Sequence, residues 1–424
     1  MKILMMTNTY KPILGGLEKS VELLFTELRK RGHRVLIVAP EYDGAEKEKN
    51  VLRVPAISYT KDETLTVQLP IPGALAKKLG KFRPDIVHAH HPFFLGDTAI
   101  RLAYKHNIPL VFTHHSLYEK NAHYLSDTEA MRRFVIELST GYANLADHVF
   151  APSESVMNMI SEYGVRTPIS VVPTGTPVKR YAKGNGTKIK SDLGIPADAI
   201  VVGHIGRLAL EKNLEFLSKG VALFMTKEPR ARFLVVGDGP SEEAMREIFR
   251  KKNLEFRLHL AGRLVGQKLI DAYHAIDVFA FASQSETQGL VLVEAMAAGT
   301  PVVAVDAPGV REVVRDKVNG RLIPKETLKG FTEALRWMTA RPEGELKKMR
   351  SECMKTAGEF SVDQCVQKAL DVYVSLKPAG LKSREGKNTE RWNQTLRMVK
   401  AQWDLTKNMA KGAGAMLAGE PVAK

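Results

Sequence analysis

The sequence predicts an α/β protein built from two doubly wound parallel-sheet domains in succession. Three observations carry this. Short apolar runs alternate with amphipathic helical stretches along most of the chain, the pattern of a parallel sheet covered on both faces. The alternation breaks once, near Pro173-Thr174-Gly175-Thr176-Pro177, and then resumes. The chain has 424 residues, more than one ordinary core accommodates.

The elements follow in order. Lys2, Ile3, Leu4, Met5 and Met6 open the chain with an apolar run that polar Asn8 and Thr9 cut short, which reads as a buried strand and not a signal peptide. Residues 18–30 place Val21, Leu24, Phe25 and Leu28 at helical spacing and stop at Gly32. Strands are expected at 35–38, 85–88, 110–112, 149–150 and 171–172. The polar, Lys- and Gly-rich stretch that follows, to Gly194, reads as a hinge. A second series has strands at 200–204, 233–236, 258–260, 278–281 and 302–305, and an amphipathic helix at 361–376 closes it. The expected domains are 1–176 and 177–360, with helix 361–376 crossing back onto the first. In such sheets ligands bind beyond the carboxyl ends of the strands, here in a cleft that the two domains face.

Composition narrows the class. A hydrophobic fraction of 44% and a charged fraction of 26% are those of a soluble globular protein. Cys353 and Cys365 are too few for a disulfide framework, and their spacing suits neither a CxxC nor a zinc site, which points to a reducing, cytoplasmic setting. No apolar run approaches the roughly 18 residues of a spanning helix. The net charge of +15 favours anionic partners. Nucleic acid is set aside, because neither paired Cys/His finger spacing nor an RNP-like aromatic strand is present. A nucleotide diphosphate and an anionic membrane surface remain. Residues 381–424 form a basic tail of different composition, with Trp392, Leu396, Val399 and Trp403 on one helical face. That face suits a membrane interface, and equally suits packing on the protein itself.

The chemistry concentrates in a few segments. Ser285-Glu286-Thr287-Gln288-Gly289-Leu290 follows a strand and opens a helix that carries Glu294 and ends at Gly299-Thr300-Pro301. Glu286 falls in the strand-end loop, where a carboxylate can accept from sugar hydroxyls. Glu294 lies about one turn into the helix, among apolar neighbours that argue against a solvated role. The amides of Gly289 and Leu290 at the helix start suit a phosphate. Arg207 and Lys212 follow another strand, and two cations there suit a diphosphate and its growing charge as it leaves. Gly15-Gly16 joins the first strand to the first helix and lets backbone approach a ligand; it is not a GxGxxG fingerprint, so no dinucleotide cofactor is expected. His88, His90, His91, His114 and His115 gather at two strand ends. A metal site is the other reading of such a cluster. No Asp-x-Asp pair accompanies it, so neither metal nor cofactor is expected.

Taken together, Glu286, seven intervening residues, Glu294 and Ala295-Met296-Ala297-Ala298-Gly299-Thr300-Pro301-Val302-Val303 resemble the signature of glycosyltransferase family 4, retaining enzymes of the GT-B fold, with two Rossmann-like domains. Residues 9–18, with the Gly15-Gly16 turn, Gly206-Arg207-Leu208-Ala209-Leu210-Glu211-Lys212-Asn213 and Val236-Gly237-Asp238-Gly239-Pro240 agree in order and spacing. The resemblance covers residues 1–376. It implies a nucleotide-diphosphate sugar donor, with Arg207 and Lys212 on the donor phosphates, Glu286 on the sugar and Glu294 on the ribose. It also implies that His115, or His114 if the register slips by one, contacts the transferred sugar near its anomeric centre. His88-Ala89-His90-His91-Pro92-Phe93-Phe94, with His114-His115-Ser116-Leu117-Tyr118 and Tyr124, resembles the branch that glucosylates diacylglycerol. His90, His91 and Tyr124 are therefore the expected acceptor residues, and a lipid or sugar acceptor the expected partner. A soluble sugar or polysaccharide acceptor and a sugar-nucleotide epimerase of the same fold are the alternatives.

Overall fold

A computed structural model of the chain describes residues 1–13, 15–42, 44–58, 66–68, 79–118, 128–376, 400, 404–409 and 411. The chain divides into two units, Met1–Gly175 with Cys365–Lys424, and Thr176–Gln364.

The first unit is built on β1 (Lys2–Met6), β2 (Arg34–Pro40), β3 (Val51–Val54), β6 (Ile86–Ala89), β7 (Leu110–Thr113), β8 (His148–Ala151) and β9 (Ile169–Val171). They form one parallel sheet in the order β3-β2-β1-β6-β7-β8-β9, and β4 (Ala56–Ser58) pairs antiparallel with β5 (Thr66–Gln68) apart from it. The central strands are mostly apolar and buried on both faces, as in Ile3, Leu4, Met5 and Met6, because helices cover each side. Side-chain oxygens start two of those helices: Thr128 accepts the amide of Met131 at 3.2 Å before Glu129–Ala143, and Ser153 that of Val156 at 3.3 Å before Glu154–Glu162. Tyr373, on the helix Val362–Leu376, is fully buried in this unit and pairs with His88.

The second unit holds β10 (Ile200–Ile205), β11 (Ala231–Val236), β12 (Leu258–Leu260), β13 (Val278–Phe281), β14 (Val302–Val305) and β15 (Gly320–Ile323), all parallel, in the order β12-β11-β10-β13-β14-β15. Both sheets reverse their strand order once, at β1/β6 and at β10/β13. Such a switch point splays the loops on either side and opens a crevice. Gly15 and Gly16 follow β1, His90 and His91 follow β6, Arg207 and Lys212 follow β10, and Glu286 follows β13.

Two stretches of polar or basic composition carry packed structure. The stretch read as a hinge contains the helices Val178–Tyr181 and Gly186–Asp192, the second capped by Asn185, which accepts the amide of Lys188 at 3.3 Å. Tyr181 and Ile189 are buried in the core of the second unit, so the stretch is packed despite its polar composition. The tail shows contacts where it is described. Leu405 joins the core of the first unit, and on the helix Glu129–Ala143 Asn408 donates to the carbonyl of Leu138 at 3.0 Å and Lys411 pairs with Glu137 at 2.7 Å. Trp392, Leu396, Val399 and Trp403 lie outside the described residues.

Candidate functional site

In the second unit the loops after β10 and β13 are laced together. The hydroxyls of Ser283 and Ser285 both donate to the carbonyl of Glu211 at 3.2 Å, and Asn213 donates to that of Ala282 at 3.4 Å. This lacing sets the ammonium of Lys212 2.6 Å from the carboxylate of Glu286. The Glu286 carboxyl is held below the usual carboxylate range: burial pushes it up, and the Lys212 ammonium together with the Ser283 hydroxyl and His204 outweighs burial. Glu286 is therefore an anion at neutral pH. Arg207 does not share this pair. It bonds Glu211 on its own loop, and its side chain is 60% exposed.

The turn after β11 buttresses the same place. Gly206 donates to the carbonyl of Val236 at 3.0 Å, and Leu208 to that of Asp238 at 2.9 Å. Gly237, at φ +140, lies against the Gly206 carbonyl where no side chain would fit. Gly289 takes the left-handed conformation, φ +71, as the cap of the helix Leu290–Ala297. That turn directs the first amides of the helix, including Leu290, away from intrahelical partners. Glu294 lies one turn further, 3% exposed, and accepts from the hydroxyl of Tyr273 at 2.7 Å.

In the first unit Gly15 caps the helix that Gly16 begins. The preceding loop is anchored by Tyr10, which bonds Glu22, and by Lys11, which meets Glu22 and Glu48 at 3.1 Å each. The histidines divide by role. His91 accepts the amide of Asn8 at 3.1 Å and so braces that loop. His88 bridges Thr113 and Tyr373, at 2.7 Å each. His90 and His115 share a hydrogen bond of 2.9 Å between Nδ1 and Nε2. His114 packs edge-on to Phe112 and Tyr118. Burial lowers every one, His88 and His91 to about 3, His114 to about 4, and His90 and His115 well below their ordinary value. The cluster is neutral at physiological pH and offers hydrogen bonds without charge. Among the described residues no three His, Cys, Asp or Glu side chains are grouped to hold a metal ion. Tyr124 lies outside the described residues.

Three participants escaped the sequence reading. Glu211 sits inside the basic motif and holds Arg207. His204, on β10, is fully buried beside the Lys212–Glu286 pair with its Nδ1 3.2 Å from the Ala280 carbonyl. Tyr273 is 21 residues from the carboxylate it serves, a separation at which no periodicity signals contact. The polar position in the apolar stretch around His204 was the one signal available.

Two parallel-sheet units of this order, each with its polar loops at the switch point, make the GT-B fold. The chain belongs to glycosyltransferase family 4. The model of Glycosyltransferase Family 4 matches residues 14–180 and that of Glycosyl transferases group 1 matches residues 185–358. The alpha-monoglucosyldiacylglycerol synthase of Streptococcus pneumoniae is 29% identical over 76% of this chain and 75% of its own, and that of Acholeplasma laidlawii 26% over 72% and 80%. The D-inositol 3-phosphate glycosyltransferase of Saccharomonospora viridis is 30% identical over 68% of this chain and 69% of its own. Among solved structures, Anabaena HepE in complex with UDP and glucose superposes with a TM-score of 0.71 at 22% identity, covering 88% of this chain and all (100%) of that one. At that identity the likeness establishes the fold. No helix among the described residues is long and apolar enough to cross a membrane.

Proposed function

We propose that this chain is a retaining, metal-independent glycosyltransferase that moves a hexose from UDP-glucose or a similar nucleotide-diphosphate sugar to a hydroxyl of a membrane lipid such as diacylglycerol. The observation that carries the donor assignment is the Lys212–Glu286 pair, 2.6 Å apart on two loops that their own hydrogen bonds fix. A cation for a phosphate and a carboxylate for sugar hydroxyls are thus preorganised side by side. Arg207, exposed on the same loop, and the helix-start amides of Gly289 and Leu290 complete the anion site. Glu294 takes the ribose. In the first unit, the family resemblance assigns Gly15 and Gly16 to the donor phosphates and His115, held by His90, to the transferred sugar. The bond from the anomeric carbon to the diphosphate breaks, the bond to the acceptor oxygen forms on the same face, and the leaving phosphate oxygen takes the acceptor proton. No protein nucleophile is required, and the protein orients the partners and stabilises the departing charge.

The lipid acceptor rests on the two monoglucosyldiacylglycerol synthases among the relatives, on the net charge of +15, and on the basic tail. These favour peripheral attachment to an anionic cytoplasmic membrane face. A second reading, transfer to a soluble acceptor, is favoured by the equally similar D-inositol 3-phosphate glycosyltransferase. One experiment separates them: release of UDP, GDP or ADP from the matching glucose and mannose donors, without acceptor, with diacylglycerol in micelles, and with inositol phosphate, each with and without EDTA. The proposal requires acceleration by diacylglycerol and survival in EDTA. Product release without any acceptor would favour an epimerase or hydrolase. Loss in EDTA, restored by manganese, would overturn metal independence.

A further inference from the structure

Glu294 presents a problem that its two tyrosines solve. Its carboxylate is 3% exposed, and the buried members of its helix are otherwise apolar: Leu292, Val293, Ala295, Met296 and Ala297. An isolated carboxylate in such surroundings costs several kcal/mol unless it is hydrogen-bonded. Tyr273, from the helix Gly266–Ala275, donates to its Oε2 at 2.7 Å, and the hydroxyl of Tyr181, from the helix Val178–Tyr181, also bonds Glu294. The two rings meet edge to face at 5.6 Å, and Tyr273 lies 6.0 Å from Phe279 of β13. Two separate helices and a strand therefore fix the direction of one carboxylate. Burial first, and the negative charge of Glu294 second, hold both phenols above their ordinary value, so both remain O–H donors.

The choice of partner matters chemically. A lysine or arginine here would neutralise the carboxylate, whereas two phenols orient it and leave its charge in place. A carboxylate offers about four acceptor positions, which two phenols do not exhaust. A vicinal diol brings two O–H donors at the spacing of the two carboxylate oxygens. Resting on the donor-site reading above, we propose that Tyr273 and Tyr181 are positioning residues that set the Glu294 carboxylate for the ribose diol and so let this protein select ribonucleotide over 2′-deoxyribonucleotide donors. Neither phenol touches the reacting atoms. Their effect passes through Glu294 to the selectivity of binding.

The test is equilibrium binding of UDP, GDP and ADP, each beside its 2′-deoxy form, to the wild-type chain and to Tyr273→Phe, Tyr181→Phe and the double variant. Wild type is expected to prefer the ribose form of whichever nucleotide binds by tenfold or more. Each single variant should cut that preference at least threefold, and the double variant should abolish it. Thermal melting of every variant separates this from packing, because loss of a purely structural bond lowers the melting temperature and leaves the ribose preference as it was. An unchanged preference in either folded single variant overturns the inference. Equal wild-type affinity for ribose and deoxyribose forms overturns it too, while the donor site stands. Failure of all three ribonucleotides to bind wild type overturns the donor-site reading itself. If Tyr273→Phe does not fold, Tyr181→Phe carries the same comparison.

Discussion

Glu286 and Lys212 hold each other with side chains 15% and 21% exposed, while Arg207 is 60% exposed beside Glu211. The two cations of one motif therefore differ in what their removal does. Lys212→Ala leaves a mostly buried carboxylate uncompensated and should cost roughly 3 kcal/mol of stability as well as activity. Arg207→Ala should cost within about 1 kcal/mol of stability and act chiefly on donor affinity and turnover. Urea unfolding and donor kinetics on both variants check the contrast; equal destabilisation would contradict it. Glu286→Ala should reduce turnover about 10²-fold or more in a folded protein, since hydrogen bonds at the reacting sugar are lost. The histidines give a pH signature. Unfolded, each titrates near 6.5; folded, burial holds His88 and His91 at about 3 and His114 at about 4. Their contribution to stability is whole above about pH 6.5 and is lost as pH falls, because the unfolded chain binds the extra protons. Asp97, raised by burial to about 6, opposes them by a single proton. His114→Phe should flatten the stability profile by about 1.4 kcal/mol per pH unit between roughly pH 4 and 6.5, read from unfolding midpoints across that range.

At the scale of elements, the alternation of apolar runs and amphipathic helices exposed both sheets, because centrally placed parallel strands are apolar along most of their length. The strands of these two sheets that it missed are of another kind. Both β3 and β15 are sheet-edge strands with one neighbour, and each carries an arginine, Arg53 or Arg321, that breaks the apolar run. The Lys212–Glu286 partnership was invisible because it spans 74 residues, although both members were singled out. Likewise the histidines were identifiable as a group, whereas their division into braces, bridge and pair depends on which strands are neighbours. The helix Leu290–Ala297 tests the anion site. Gly289→Ala forces a Cβ into the left-handed region, at about 1–2 kcal/mol, and turns the first amides. Donor KM should rise severalfold with a modest fall in melting temperature. Unchanged donor KM in a folded variant would remove those amides from the site.

For the molecule as a whole, the described part of the tail belongs to the first unit. Truncation after Leu376 removes Leu405 from the core of the first unit and Asn408 and Lys411 from the helix Glu129–Ala143, and should lower the melting temperature. Leu405→Ala alone should cost about 2 kcal/mol, since the side chain is 5% exposed in the core. Liposome flotation of the truncated chain, at low and high salt, reports separately on the basic tail and its Trp392–Trp403 face. A fall in both stability and binding would mean that the tail does both tasks.

The return of Cys365 and the residues after it to the first unit also reaches into how the protein is made. Its first unit begins at the first residue, yet Tyr373, the partner of His88, is added only after all of Thr176–Gln364 has been polymerised. At roughly 5–20 residues per second that interval is on the order of ten to forty seconds. Throughout it the nascent first unit carries a histidine without its phenol and a Phe150 ring without its stacked neighbour. The second unit, contiguous in the chain, can close in that time. A ribosome-stalled series ending before and after Leu376 should thus show the second unit resistant to protease first and the first unit, though translated earlier, last.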